Sequence, residues 1–283
     1  MTNGTFFQKK LTINAGGKLI DLSTPKVMGI INLTPDSFYV GSRKPGVEDA
    51  LQQAGKMLNE GAAFLDLGAY SSRPGADDIS VQEETDRLLP VVEAIVKGFN
   101  NAVLSIDTFR SSVAEAAIKA GAHIINDISG GQLDDAMFDT VARLQVPYIL
   151  MHMKGTPQTM VQEAKYDDVF NEVLGYFAQR YEKLRAMGLH DVIIDPGFGF
   201  AKTPQQGYEL MSKMQGFEML QLPVMVGVSR KRMIYGTLGT TASEALNGTT
   251  ALNTIALTKG ANILRVHDVR EAVEAVKIWE MCR

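Results

Sequence analysis

Eight times along the chain a short apolar run ends in glycine or polar residues, and an amphipathic stretch follows it. The runs are residues 27–31, 63–67, 103–106, 123–125, 148–151, 192–194, 224–226 and 262–264. Between and after them lie helix-patterned stretches at 48–59, 81–97, 111–119, 135–144, 167–187, 204–214, 242–258 and 269–280. Short apolar strands alternating with helices predict βαβ units and a parallel sheet. Gly61, Gly121, Gly188 and Gly260 each stand between a helical stretch and the next strand, the place where a helix ends in the left-handed conformation. Eight repeats favour a closed α/β structure, a (β/α)8 barrel, over an open sheet. No Gly-x-Gly-x-x-Gly follows the first run, which counts against a dinucleotide fold.

Ahead of the repeats, two short apolar runs flank Ala15-Gly16-Gly17 and predict an N-terminal β-hairpin over 11–22. It would close the bottom of the barrel or form a simple arm. The chain has 283 residues, and barrels of about 250 residues commonly form one domain, so 1–283 is expected to be a single domain. With 28 Lys and Arg against 32 Asp and Glu, the net charge is −4, which gives no footprint for nucleic acid. No apolar run approaches the ~18 residues of a membrane span. One cysteine, Cys282, excludes an internal disulfide and fits a reducing compartment, so the cytoplasm is expected.

Active sites of this fold lie at the C-terminal ends of the strands, and there the chemistry-bearing residues stand. Asn32 follows the first run, Ser71, Ser72 and Arg73 the second, Asp107 the third and Asn126 the fourth. His152 follows the fifth, Asp195 the sixth, Ser229, Arg230 and Lys231 the seventh, and Arg265 and His267 the eighth. An Asp or Asn after one strand is as readily a helix cap or turn former; a ring of them is harder to explain that way. Asp107, Asn126 and Asp195 offer the acceptors and donors that a flat, nitrogen-rich heterocycle needs. Arg73, Arg265 and His267 suit an anion such as phosphate. Asp66, inside its strand, reads as a buried structural carboxylate, His123 as structural and His190 as surface, while His152 stays open. The stretches 34–43 and 71–78 read as lid loops.

At this point the segments Met28 to Phe38, Ser72-Arg73-Pro74-Gly75-Ala76, Ser105 to Thr108, Gly121 to Asp127, Met151-His152-Met153, Asp195 to Phe200, Gly227 to Lys231 and Arg265 to Val269 resemble, in order, those of the dihydropteroate synthases, the pterin-binding barrels of folate synthesis. The resemblance implies a transferase that joins 6-hydroxymethyl-7,8-dihydropterin pyrophosphate to p-aminobenzoate with the help of Mg2+. It implies that Asp107, Asn126, Ile128, Met151, Asp195, Gly227 and Lys231 hold the pterin, with Asp107, Lys231 and Arg265 catalytic. Asn32, Arg73, Arg265 and His267 would hold the pyrophosphate, with Asn32 at the metal. Phe38, Ser72, Pro74, Phe200, Ser229 and Arg232 would surround p-aminobenzoate. A homodimer is implied, with the stretches 242–258 and 269–280 as candidate contact faces.

The chain departs from the family pattern in three places. Tyr39-Val40-Gly41-Ser42 follows Phe38 where the family has a Ser-Asp-Gly-Gly-like run, so Val40 replaces a loop aspartate. Tyr70-Ser71-Ser72-Arg73 stands for Glu-Ser-Thr-Arg. Arg232 follows Lys231 where a small Ser is common; it either binds the p-aminobenzoate carboxylate or is solvated. Two rivals remain: a barrel that takes a methyl group from methyltetrahydrofolate, and a silent pterin binder. The anion cluster opposes the first, and the intact ring opposes the second.

Overall fold

The computed structural model describes residues 11–33, 46–71 and 78–282. Strands β1 (Thr12–Ala15) and β2 (Lys18–Asp21) form the antiparallel hairpin, paired from Thr12↔Asp21 to Ala15↔Lys18. Asn14 Oδ1 accepts from the Gly17 amide at 2.9 Å in its turn.

The barrel strands are β3 (Lys26–Asn32), β4 (Phe64–Gly68), β5 (Leu104–Asp107), β6 (Ile124–Asp127), β7 (Tyr148–Met151), β8 (Val192–Asp195), β9 (Met225–Val226) and β10 (Ile263–Val266). They form one sheet in the order β8-β7-β6-β5-β4-β3-β10-β9. A parallel bridge between Ile194 and Val224 joins its two edges and closes the barrel. The helices are α1 (Val47–Asn59), α2 (Val81–Gly98), α3 (Ser111–Lys119), α4 (Met137–Leu144), α5 (Val169–Ala186), α6 (Pro204–Lys213), α7 (Arg232–Leu238), α8 (Leu246–Thr258) and α9 (Val269–Met281). Their starts follow from capping chemistry. The Ser80 hydroxyl accepts from the Glu83 amide, Asp168 accepts from Phe170 and Asn171, and Thr203 and Gln206 form a reciprocal capping box, satisfying amides that the first helical turn leaves unpaired.

Side chains alternate sides along a strand, and the barrel reads in layers accordingly. Met28, Phe64, Val103, Ile124, Ile149, Ile193, Met225 and Ile263 pack together with Ile13, Ala15 and Leu22 of the hairpin segment. The hairpin therefore closes the bottom of the barrel. Fully burying Ile13 and Leu22, 1% and 0% exposed, contributes about 1.5–3 kcal/mol each. The opposite strand faces pack against the helices as a separate, larger cluster.

The observed elements fall on the sequence pattern with three differences, one of them a 3-10 turn over Met214–Leu220 that the pattern does not include. Helix α7 follows Lys231 directly and was not anticipated. Helix α8 begins at Leu246 rather than residue 242, because Glu244 Oε2 accepts from Thr240 Oγ1 at 2.6 Å and from Thr241 Oγ1 at 2.8 Å. These bonds hold the preceding residues in a turn, the alternative to helix that hydroxyl side chains offer. Among the described residues no helix is long and apolar enough to cross a membrane.

Candidate active site

Two residues above the apolar floor, the same inward register carries Ile30, Asp66, Ser105, Asn126, Met151, Asp195, Gly227 and Arg265, and one step further stand Asn32, Gly68 and Asp107. Arg265, Asp66, Asp107 and Asn126 form a connected cluster. Arg265 donates from Nε to Asp66 Oδ2 at 2.6 Å and from Nη2 to Asp107 Oδ2 at 2.6 Å. Asn126 Nδ2 donates to the same Asp66 oxygen at 3.0 Å. Asp66 is thus buried and hydrogen-bonded, as its sequence suggested, yet it also belongs to the ring. The floor residue Phe64 lies two positions before it, so strand alternation alone would have found it.

Two carboxylates share this one guanidinium. Burial pushes the Asp107 carboxyl up to about 7, against the pull of Arg265. Burial alone would lower Arg265, but Asp66 and Asp107 outweigh it and raise its pKa. Asp66 Oδ1 and Ser105 Oγ, on paired strands, are buried without a hydrogen-bond partner among the described residues.

The loop after β8 builds the other half. Asp195 Oδ1 accepts from the Gly197 amide at 2.8 Å, and burial raises its pKa although Lys231 opposes the shift. Lys231 Nζ donates to the Phe198 carbonyl at 2.5 Å and lies 4.7 Å from the centre of the Phe200 ring. Burial lowers the lysine to about 8, with Asp195 opposing, so it stays largely charged at neutral pH. A Cβ on Gly227 would stand 3.9 Å from Arg265 Cβ and 4.0 Å from Asp195 Oδ2, so glycine keeps this wall open between two ring residues. Ile128 and Met151 supply an apolar surface together with Met153, Met160 and Ala201, flanked by Phe109, Leu133 and Phe200.

On the β9–β10 side, Ser229 Oγ lies 3.0 Å from His267 Nδ1 and accepts from the His267 amide at 3.2 Å. Burial of the ring and the nearby Arg265 lower His267 to about 4, so the imidazole is neutral at pH 7. Arg230, read from the sequence as a strand-end residue, is committed elsewhere: it grips Asp268 through Nε and Nη2 at 2.8 and 2.9 Å. Arg232 is exposed on the first turn of α7. Asn32 ends β3, paired with Gly68.

The structure brings together Asp107, Asn126, Asp195, Lys231 and Arg265, and pairs Ser229 with His267. Phe38, Ser72, Arg73 and Pro74 lie outside the described residues, as do Val40 and most of both lid stretches. Sequence reading missed one buried pair. Lys202 Nζ lies 2.9 Å from His152 Nδ1, and these residues, 8% and 2% exposed, sit behind the β8 loop. Burial lowers His152 to about 2 and Lys202 to about 7. No sequence spacing links two residues this far apart. His123 is structural, accepting from the Leu104 amide at 3.2 Å, and His190 is exposed.

Comparison with known proteins adds four findings. The family model described as pterin binding enzyme matches residues 28–267. The dihydropteroate synthase of Escherichia coli K12 is 44% identical over 268 residues, covering 94% of each chain. A crystal structure of the Yersinia pestis dihydropteroate synthase with a sulfonamide drug superposes with a TM-score of 0.90 at 40% identity, covering 96% of this chain and 99% of that one. The dihydropteroate synthase of Xanthomonas albilineans in complex with 7,8-dihydropteroate does so with a TM-score of 0.86 at 35% identity, covering 96% and 98%.

Proposed function

The chain belongs to the pterin-binding enzymes and, within them, to the dihydropteroate synthases, and we propose that the ring at its barrel mouth joins 6-hydroxymethyl-7,8-dihydropterin pyrophosphate to p-aminobenzoate. The products are 7,8-dihydropteroate and pyrophosphate. The observation that carries the site assignment is the convergence of Asp107, Asn126 and Asp195 at inward positions of β5, β6 and β8, with Arg265 and Lys231 among them.

A pterin edge carries amino and ring N–H donors beside ring acceptors. Asp107, Asn126 and Asp195 accept from the former, while Asn126 and Lys231 donate to the latter. Ile128, Met151 and Gly227 bound the flat ring. The bond between the pterin methylene carbon and its oxygen breaks, and the electron pair leaves with pyrophosphate. The carboxylates of Asp107 and Asp195 face the positive charge left on the pterin, a preorganised electrostatic environment. The p-aminobenzoate nitrogen forms the new C–N bond and gives up one proton, which leaves with the pyrophosphate or to water. Arg73, Arg265 and His267 hold the departing anion, His267 as a neutral N–H donor. Phe38, Ser72, Pro74, Phe200, Ser229 and Arg232 form the p-aminobenzoate wall, with Arg232 opposite its carboxylate.

The donor chemistry suits Mg2+ as a partner of the substrate. Among the described residues no three His, Cys, Asp or Glu converge as a metal cage, and Mg2+ is commonly held by few protein oxygens together with substrate phosphates and water. The Asn32 side-chain oxygen would be the protein ligand, and the bound ion would supply positive charge to the leaving group.

The chain acts as one catalytic domain whose floor is the hairpin. It forms a homodimer through α8 and α9, whose Ile255 and Ile278 are 45% and 67% exposed. A cytoplasmic setting agrees with the free, exposed Cys282. The test is product formation from the two substrates with Mg2+, reading both dihydropteroate and pyrophosphate. Absence of product with pterin binding intact would leave a pterin binder; absence of both would overturn the pocket.

A further inference from the structure

The β8 loop has a geometry that few sequences tolerate. Gly197, Gly199 and Ala201 have φ of 67°, 80° and 47°, so every second residue is left-handed, and Ala201 adopts that conformation despite its Cβ. The loop also crosses close over the chain after β7, where a Cβ at Gly197 would meet the His152 carbonyl oxygen at 2.1 Å.

On the inner side of the loop, the carbonyls of Gly197 and Phe200 meet the buried Lys202 side chain. Lys202 Nζ donates to the carbonyls of Phe200 at 3.1 Å, Gly197 at 3.2 Å and His152 at 3.4 Å, and lies 2.9 Å from His152 Nδ1. The three carbonyls are acceptors only, and so is a neutral imidazole nitrogen that lacks its hydrogen. An ammonium, with three N–H donors and no acceptor, suits that set, its three hydrogens shared among four acceptors of which the His152 carbonyl is the most distant. The outer side of the same loop carries the catalytic geometry: Asp195 is fixed by the Gly197 amide, the Phe198 carbonyl holds Lys231, and the Phe200 ring lies beside its ammonium.

We propose that Lys202 is a positioning residue: its ammonium, caged by the carbonyls of Gly197, Phe200 and His152 and by the His152 ring, locks the β8 loop in the one conformation that aims Asp195 and Lys231 at the pterin. The inference rests on the pterin pocket proposed above, but the lysine itself touches no substrate. Two of its four partners belong to loop residues and two to His152 on the β7 side, so it ties the loop to the barrel wall. Without it the carbonyls of Gly197 and Phe200 lose their donor, and the loop relaxes around its glycines.

The test compares Lys202→Met, which keeps length and removes every donor, with Lys202→Arg, which keeps the cation. Binding of 6-hydroxymethylpterin is measured by calorimetry, and amide hydrogen exchange is followed along the whole chain. Lys202→Met is expected to melt below the wild-type temperature, because the buried carbonyls and imidazole nitrogen lose their donor, to show its largest gain in amide exchange over residues 196–202, and to bind the pterin at least tenfold more weakly. Lys202→Arg should recover part of that affinity. Wild-type exchange in the loop together with wild-type pterin affinity in Lys202→Met overturns the proposal, as does a gain in exchange no larger in the loop than across the barrel. If Lys202→Met does not fold, Lys202→Arg decides: affinity within threefold of wild type supports the cage, and a tenfold loss overturns it. Failure of the wild-type chain to bind pterin at all would instead strike the pocket reading, and loop exchange would still judge the cage.

Discussion

The guanidinium of Arg265 reaches across the barrel mouth and donates to Asp107 Oδ2 at 2.6 Å, spanning from β10 past β3 and β4 to β5. The same group donates to Asp66, which is fully buried. Removing the arginine therefore strands Asp107 and leaves Asp66 only the Asn126 amide, whereas removing Asp107 strands none, because Asp66 still holds Arg265. Breaking a buried pair by deleting one partner costs about 3–5 kcal/mol, the loss expected for Arg265→Met in urea unfolding. Asp107→Asn should cost under about 1 kcal/mol, since burial already disfavours its charged form. Its turnover should nonetheless fall roughly a hundredfold or more, the scale seen when one preorganised charge-stabilising group is lost. Near-wild-type turnover in Asp107→Asn would remove it from the mechanism.

The raised Asp107 also sets an expected acid limit on activity. With its carboxyl at about 7, the free enzyme loses this acceptor as pH falls below neutrality. The value of kcat/KM for the pterin substrate should then drop about tenfold per pH unit on the acid side, the behaviour of a single essential base. The stability sign is the reverse. A carboxyl that binds its proton more tightly folded than unfolded contributes stability at low pH, and that contribution is lost as pH rises toward 7. A flat kcat/KM profile from pH 5.5 to 8 would contradict the assignment.

His152 gives a stability effect of opposite slope. Held neutral by burial and by Lys202 and Lys154, its folded value near 2 lies far below the ordinary 6.5. The unfolded chain takes up a proton below pH 6.5 that the folded chain refuses, so the contribution is complete above 6.5 and lost as pH falls. At pH 5 the loss is about 2 kcal/mol, from 1.36 kcal/mol per pH unit. Urea unfolding of wild type and His152→Gln at pH 5 and 7.5 measures it. The wild type should lose about 2 kcal/mol more than the variant, and equal losses would show that the imidazole titrates alike in both states.

Arg232 is exposed at the start of α7, one residue beyond Lys231. If it faces the p-aminobenzoate carboxylate, Arg232→Ala raises KM for that substrate about two- to fivefold, as for loss of one solvent-screened charge contact of up to ~1 kcal/mol, and leaves kcat and the pterin KM unchanged. An unaltered KM would mark the side chain as solvated.

Most of the ring was legible because Asp107, Asn126 and Asp195 each end an apolar run, and eight such runs close into one mouth. The resemblance to the pterin-binding barrels then supplied their roles. Asp66 was harder to place, because a carboxylate inside a strand reads as structural until the register is known; Phe64 in the floor shows that both point inward. The pairing of Lys202 with His152 left no trace, although His152 itself ends the fifth run, since it depends on the β8 loop folding back over β7, a contact that local sequence does not encode. Arg230 misled in the other direction: its charge is spent on Asp268 and on the carbonyls of Ala242 and Ser243, a role visible only once the loops meet.

The sequence left open whether the hairpin is a floor or an arm, and Ile13 separates the two by experiment. Its side chain is 1% exposed and packs with the inward-facing first residues of the barrel strands, at the end remote from Asp107 and Lys231. Trimming a buried isoleucine to alanine costs about 2–5 kcal/mol, because lost burial adds to the cavity left behind. A floor predicts that full cost in Ile13→Ala by urea unfolding, in a single transition, since bottom layer and barrel are one packed cluster. It also predicts unchanged KM for both substrates, because the polar layers intervene between floor and mouth. An arm would lose well under 1 kcal/mol, as a surface substitution does. A large stability loss accompanied by a shifted pterin KM would mean instead that the floor sets the spacing of the ring above it.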